Sequence, residues 1–194
     1  MTLQILAPPG VEPVSLDQAK AFLRVTHADE DQLITDLIVA ARERVEAETG
    51  RALITRTCRE TLDDWAVEGR FSPPGTLKLP SPPLQAVTGI TLIAADDSET
   101  VWSADDYIVD TDSDPGRIAV RGRSGFPRPG RRIAGIRIDF TAGYGDGPED
   151  VPAALKEAVL RLVGEGYPDR DGALSRPLPL SVVSLIAPYR RVRL

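Results

Sequence analysis

Apolar residues recur every three or four positions near the two ends of the chain and every second position through its middle. Ser15-Leu16-Asp17-Gln18 has the form of a capping box and predicts a short helix to about Val25. Asp29 with Gln32 repeats the device ahead of a longer helix, with Leu33, Leu37, Ile38, Ala41 and Val45 at helical spacing and Gly50 as the left-handed residue that ends it. Short alternating segments follow at Leu53–Leu62, Leu77–Leu79, Val87–Ile93, Tyr107–Val109, Arg117–Val120 and Ile133–Thr141, and these predict strands. The prolines of Phe71-Ser-Pro-Pro-Gly75 and Pro80-Ser-Pro-Pro83 frame the second segment and mark it as an edge strand, because proline cannot donate to a ladder. Beyond Gly143-Tyr-Gly-Asp-Gly147 the helical period returns from about Val151, with Leu155, Val159, Leu162 and Val163 on one face. A last short helix is expected from about Leu180 to Ala187, after Pro177 and Pro179 and before Pro188.

Helices, then strands, then helices predict an α+β fold with a mainly antiparallel sheet. N-terminal helices lead into a strand-rich antiparallel middle, then a helix and a short C-terminal helix with an extended basic tail. The expected organisation is a single domain over 1–176, helical over 14–50 and 151–166 and strand-rich over 53–141, followed by a tail over 177–194. No internal repeat is visible.

Composition narrows the setting. A chain of 194 residues is long enough to bury a core without staples, and Cys58, the one cysteine, reads as a small strand residue in a reducing compartment. The opening MTLQILAPPG lacks the pattern of a signal peptide, and no apolar run nears the roughly 20 residues that span a bilayer, so no membrane partner is expected. Net charge is −6, divided unevenly: residues 1–116 hold 9 basic against 21 acidic side chains and residues 117–194 hold 14 against 8. Such asymmetry suggests faces with different partners.

Candidate chemistry mostly dissolves. Gly143–Gly147 lacks the fingerprint of a dinucleotide or P-loop site, and Asp146, Glu149 and Asp150 already compensate the helix start. Asp110-Thr-Asp-Ser-Asp-Pro-Gly116 begins like a calcium loop but carries Pro115 and Arg121 where Gly and Glu belong, and reads as an acidic turn. The adjacent pairs Asp63-Asp64, Asp96-Asp97 and Asp105-Asp106 point to opposite faces of a strand. His27 stands alone, and there is no Gly-x-Ser-x-Gly elbow. No cofactor, metal or turnover is expected.

Two features survive. Arg117–Arg137 holds seven arginines and no acid, interleaved with glycine and proline, and reads as a mobile basic loop whose Arg121, Arg123, Arg128, Arg131 and Arg132 could meet DNA phosphates or an acidic protein. A basic-loop nucleic-acid-binding module is therefore the alternative reading. The ending PLPLSVVSLIAPYRRVRL joins an apolar helix face, Val182, Leu185 or Ile186, and Tyr189, to three arginines and a terminal leucine. Docking of this segment in a partner's groove explains the whole pattern.

The ordered set of segments resembles the head-tail connector (adaptor) family of tailed bacteriophages and related gene transfer agents: Val14-Ser-Leu-Asp-Gln-Ala-Lys-Ala-Phe-Leu-Arg24, Asp29-Glu-Asp-Gln-Leu-Ile34, Val45-Glu-Ala-Glu-Thr-Gly-Arg-Ala-Leu53, Leu79-Pro-Ser-Pro-Pro-Leu-Gln-Ala-Val87, Pro115-Gly-Arg-Ile118, Phe140-Thr-Ala-Gly-Tyr-Gly145, Val151-Pro-Ala-Ala-Leu155 and Leu185-Ile-Ala-Pro-Tyr-Arg190. The resemblance implies a structural virion protein without turnover, forming a ring, twelvefold in relatives, under the portal. It extends the channel through which double-stranded DNA passes without specific binding, and it offers a surface to a further neck or tail protein. It places Leu185, Ile186, Tyr189, Arg190, Arg191, Arg193 and Leu194 at the portal contact. The location it implies is the virion neck, with assembly in the bacterial cytoplasm.

Overall fold

The computed structural model describes residues 2–66, 71–72, 75–122, 125–168 and 177–190, with the side chains of 71 and 72 excepted. The chain divides into two compact units, one of residues 1–8, 55–143 and 194, the other of residues 9–54 and 144–193. This differs from a single domain over 1–176 with an appended tail, because the strand-rich segment forms a compact unit of its own and the described residues of the expected tail, 177–190, fold into the helical unit. Sorted by unit, the charge asymmetry disappears. The first holds 11 basic against 13 acidic side chains and the second 12 against 16.

The helical unit is built on α1 (Leu16–Leu23), α2 (Asp31–Thr49), α3 (Ala153–Gly166) and α4 (Leu180–Ile186). The capping box at Ser15 forms as the sequence predicts: the Gln18 N–H donates to Ser15 Oγ and Gln18 Oε1 accepts from the Ser15 N–H. The second expected box does not form. Glu30 is the N-cap of α2, without a side-chain cap, and Asp29 projects into solvent 3.8 Å from His27 Nδ1. Tertiary ties hold this helix start instead, with Lys20 Nζ 2.5 Å from Asp31 Oδ1 and the Tyr167 hydroxyl donating to Glu30. Gly50, at φ 70°, ends α2 as anticipated.

The buried stripe of α2 is Ile34, Ile38, Ala41, Val45 and Thr49; Ile38, Ala41 and Val45 are buried as the spacing predicts, while Ile34 takes the inward place in preference to Leu33 and Leu37 packs half-buried at the margin. Because Leu33 and Ile34 are both apolar, the pattern leaves the phase open by about 100°, and packing on α1 and α3 decides it. Around this face gather Leu53, Ile54, Val151, Leu155, Val159, Val163, Val182 and Ile186, all closed to solvent.

The other unit carries two antiparallel sheets. The first, in order β1 (Thr2–Ala7), β2 (Arg56–Leu62), β9 (Ile136–Ala142), β5 (Leu84–Ile93) and β6 (Glu99–Val101), is centred on β9, which buries Ile136, Ile138, Phe140 and Ala142. Cys58 lies buried on β2 opposite Phe140. The other face of this sheet carries ion pairs, including a bidentate Arg59–Asp139 contact at 2.6 and 2.7 Å between directly opposed residues. The second sheet runs β3 (Phe71–Ser72), β4 (Thr76–Lys78), β8 (Arg117–Val120), β7 (Tyr107–Asp110). Here β4 is an inner strand, not the expected edge: its flanking prolines lie outside Thr76–Lys78, so both sides remain free to pair, with β3 and β8. Sequence patterning missed β1, β3 and β6, and β9 starts three residues later than Ile133.

Candidate functional site

The C-terminal segment is the first candidate. Val182 and Ile186 are fully enclosed on the inward face of α4, and Leu185 and Tyr189 pack half-buried at the margin of the same core. A 3₁₀ turn over Ala187–Tyr189, carrying Pro188, follows the helix and turns the chain back toward the end of α2. There Arg51 Nε donates to the Tyr189 carbonyl at 2.8 Å, with the guanidinium 6.0 Å from the ring centre. Arg190 Nη2 reaches Glu48 Oε2 at 2.5 Å. Two expectations are corrected. Ile186 offers no surface to a partner, because the core of its own unit encloses it. Tyr189 and Arg190 do not reach out freely: Arg51 and Glu48 tie them to the end of α2, although Arg190 stays exposed on its outer side. Arg191, Arg193 and Leu194 lie outside the described residues.

The basic loop is the second candidate, and it is tethered. Phe126 stacks on Trp65 at 4.5 Å, the Trp65 indole donates to the Pro127 carbonyl at 2.7 Å, and Trp102 meets both rings edge-on while leaning on Tyr107. Further on, Gly130 and Arg131 both donate from the backbone to the Ile93 carbonyl, and the Ala134 N–H donates to Asp63. In place of a loop without ties, an aromatic cluster and a backbone clasp engage the segment between Phe126 and Ala134. Its arginines are partly engaged: Arg131 sits 3.3 Å from Asp97, and Arg121 donates to the Tyr107 carbonyl. Arg128 and Arg132 are exposed and have no partner among the described residues. Arg123 lies outside them.

The remaining motifs take their structural roles. The Asp150 carboxylate accepts from the Gly147 N–H and occupies the space where a Cβ on Gly145 would stand, so the helix entrance is closed by the protein's own acid. Asp110 caps the β7–β8 turn, accepting from Ser113 and Arg117, and these bonds hold its carboxyl down at about 2. Among the described residues no group of His, Cys, Asp or Glu is arranged to hold a metal ion. No described helix is long and apolar enough to cross a membrane.

One constellation had no advance signal. Arg42 is buried between Glu12, at 2.8 Å, and Glu46, at 2.9 Å, and Glu46 also accepts the Leu53 N–H at 2.8 Å. Burial alone would lower the affinity of this guanidinium for its proton, but bonding to Glu12 and Glu46 outweighs it and raises the pKa. Arg42-Glu43-Arg44-Val45-Glu46 reads as an ordinary solvated helix face, and only the fold shows that one arginine turns inward to bind the helix to its flanking loops.

Comparison with known proteins decides the class. A family model described as phage gp6-like head-tail connector protein matches residues 13–115, just over half of the chain. The chain belongs to this head-tail connector family. As the sequence led one to expect, the connector is a structural virion protein, and its family is not a class of enzymes. Among solved structures it is similar to a chain in the virion of a native gene transfer agent particle, with TM-score 0.82, 29% identity, and 100% of this chain and 97% of that one covered. It is equally similar to one in the neck of an empty particle computed with C6 symmetry, at TM-score 0.82 and 30% identity with the same coverage. A third, in the neck of a native particle computed with C12 symmetry, gives 0.80 and 28%, again at 100% and 97%. No curated protein sequence matches. Nothing in these likenesses favours the nucleic-acid-binding alternative for the connector.

Proposed function

We propose that this connector works as a ring of twelve copies in the neck of a phage-like particle, docking on the portal through its C-terminal segment. In this reading the ring prolongs the channel for double-stranded DNA without sequence-specific contact, offers its far face to a further neck or tail protein, and is assembled in the bacterial cytoplasm. The observation that carries the reading is likeness over the full chain to a component of a neck computed with twelvefold symmetry. The geometry of the ending refines it. Val182, Ile186 and the Arg51 and Glu48 contacts belong to the framework, so docking falls to the outer side of Leu185, Tyr189 and Arg190 together with Arg191, Arg193 and Leu194.

This choice fixes where to cut. Removing everything from Ser184 would take away Ile186 and disrupt the core, whereas a chain ending at Arg190 retains every core contact described above. We expect the chain ending at Arg190 to keep its unfolding free energy within about 0.5 kcal/mol and to lose co-sedimentation with purified portal. Undiminished portal binding by that chain would overturn docking by the tail.

A further inference from the structure

Strand β1 stands out once the ring reading is accepted. It is the outer strand of the five-stranded sheet, paired on one side only among the described residues, with Leu3 opposite Glu60 and Ile5 opposite Cys58. All six of its residues are exposed, among them Leu3 at 42%, Ile5 at 52% and Leu6 at 47%. Proteins that must avoid pairing through a sheet edge blunt it with charge, proline or a short strand. Thr2-Leu-Gln-Ile-Leu-Ala7 has no charge and no proline. It is an apolar edge left open on both faces and along its backbone.

The opposite end of the same sheet is open too. Strand β6 has no second neighbour among the described residues, all three of its residues are exposed, and Val101 is 72% exposed. A closed ring needs two different, mutually fitting patches on each subunit, one for each neighbour. The strand directions suit these two edges. Four successive antiparallel pairings separate β1 from β6, so the two run the same way. Copies related by rotation about a ring axis can therefore bring β6 of one beside β1 of the next as a parallel pair. A β1–β1 contact would instead be self-complementary and close as a dimer.

We propose that β1 is the intersubunit strand of the ring, seated on the open β6 edge of a neighbouring copy of this chain, so that one sheet continues into the next. This rests on the ring reading and adds the surface that builds it.

Two variants test it, in full-length chain assembled with and without portal and read by native mass spectrometry. Leu3→Cys with Thr100→Cys, in a Cys58→Ala background to remove the native thiol, should on oxidation give a ladder of covalent multimers ending at the closed ring, while each single-cysteine chain stays monomeric because no second thiol faces it. Leu3→Asp with Ile5→Asp should lower the ring fraction by at least about tenfold with the thermal midpoint kept, since both side chains are exposed. A ring that assembles with normal yield in the aspartate variant, or that yields no ladder, overturns the β1–β6 contact and leaves the ring reading standing. Efficient dimers from Leu3→Cys alone overturn it in favour of β1–β1 pairing. A wild-type chain that forms no ring even on portal removes the ring reading and this contact with it.

Discussion

The C-terminal segment and the β8–β9 loop are alike in sequence, arginine-rich and punctuated by proline, yet they are held by opposite means. The tail is fixed by aliphatic burial, with Val182 and Ile186 in the helical core, and then strapped by two polar contacts to α2. The loop is fixed by aromatic rings and backbone hydrogen bonds, with Trp65, Phe126 and Trp102 below and the Ile93 carbonyl as clasp. In both, some arginines bind acids or carbonyls of their own unit. Arginine density therefore overstates the surface on offer to a partner, and among the described residues of the two segments the arginines without a partner are Arg128 and Arg132.

The largest expected effect breaks the loop side of this comparison. Trp65 is nearly enclosed and carries both the stacking on Phe126 and the bond to Pro127. Trp65→Ala should cost about 3–5 kcal/mol in denaturant unfolding and quench the exchange protection of the Gly130 and Arg131 amides. A loss under about 1 kcal/mol would mean the loop is held without the cluster. The tail side should follow at smaller scale. Ile186→Ala is expected to cost about 2–4 kcal/mol, because the inward face of a short helix cannot easily collapse onto the cavity left. Equal stability would show that α4 is not part of the core.

How much of this was legible before the fold was known depends on whether the decisive contact is local. The Ser15 box, the Gly50 stop and the acidic turn at Asp110 are settled within a few residues of themselves, and sequence reading found all three. The start of α2 was misread because Lys20 and Tyr167, remote in sequence, hold Asp31 and Glu30 in place of the Asp29 cap. Strand β1 was missed because its alternation, Thr2 to Ile5, is broken at Leu6 after four residues, and with both faces exposed no buried face extends the pattern. The inward turn of Arg42 follows from Glu12 and from the Leu53 N–H, neither of which the pattern of α2 can announce. At the candidate site, the tail was recognisable by composition and the packing role of Val182 and Ile186 by helical spacing, but the ties on Tyr189 and Arg190 were not, since Glu48 and Arg51 lie about 140 residues away along the chain.

The smallest effect sharpens the comparison most, because it asks which side of the Arg190 contact the partner uses. The Arg190–Glu48 pair is half-exposed, so its own contribution to folding is about 0.2–1 kcal/mol. Glu48→Gln removes that competitor for Arg190 and also relaxes Arg44, which lies 3.8 Å from Glu48 on the same helix. Stability should therefore hardly change. If Arg190 must leave Glu48 to meet a portal carboxylate, the energy of the pair opposes docking, and Glu48→Gln should raise portal affinity by about 1.4- to 5-fold, with a steeper decline as salt is added because a fully available arginine is screened more. If instead Glu48 holds Arg190 as part of the docking framework, the same substitution weakens binding. Titration of wild-type and variant chains against portal at two salt concentrations separates these outcomes, and a decrease in affinity would make Arg190 a strap and leave the docking charge to Arg191 and Arg193.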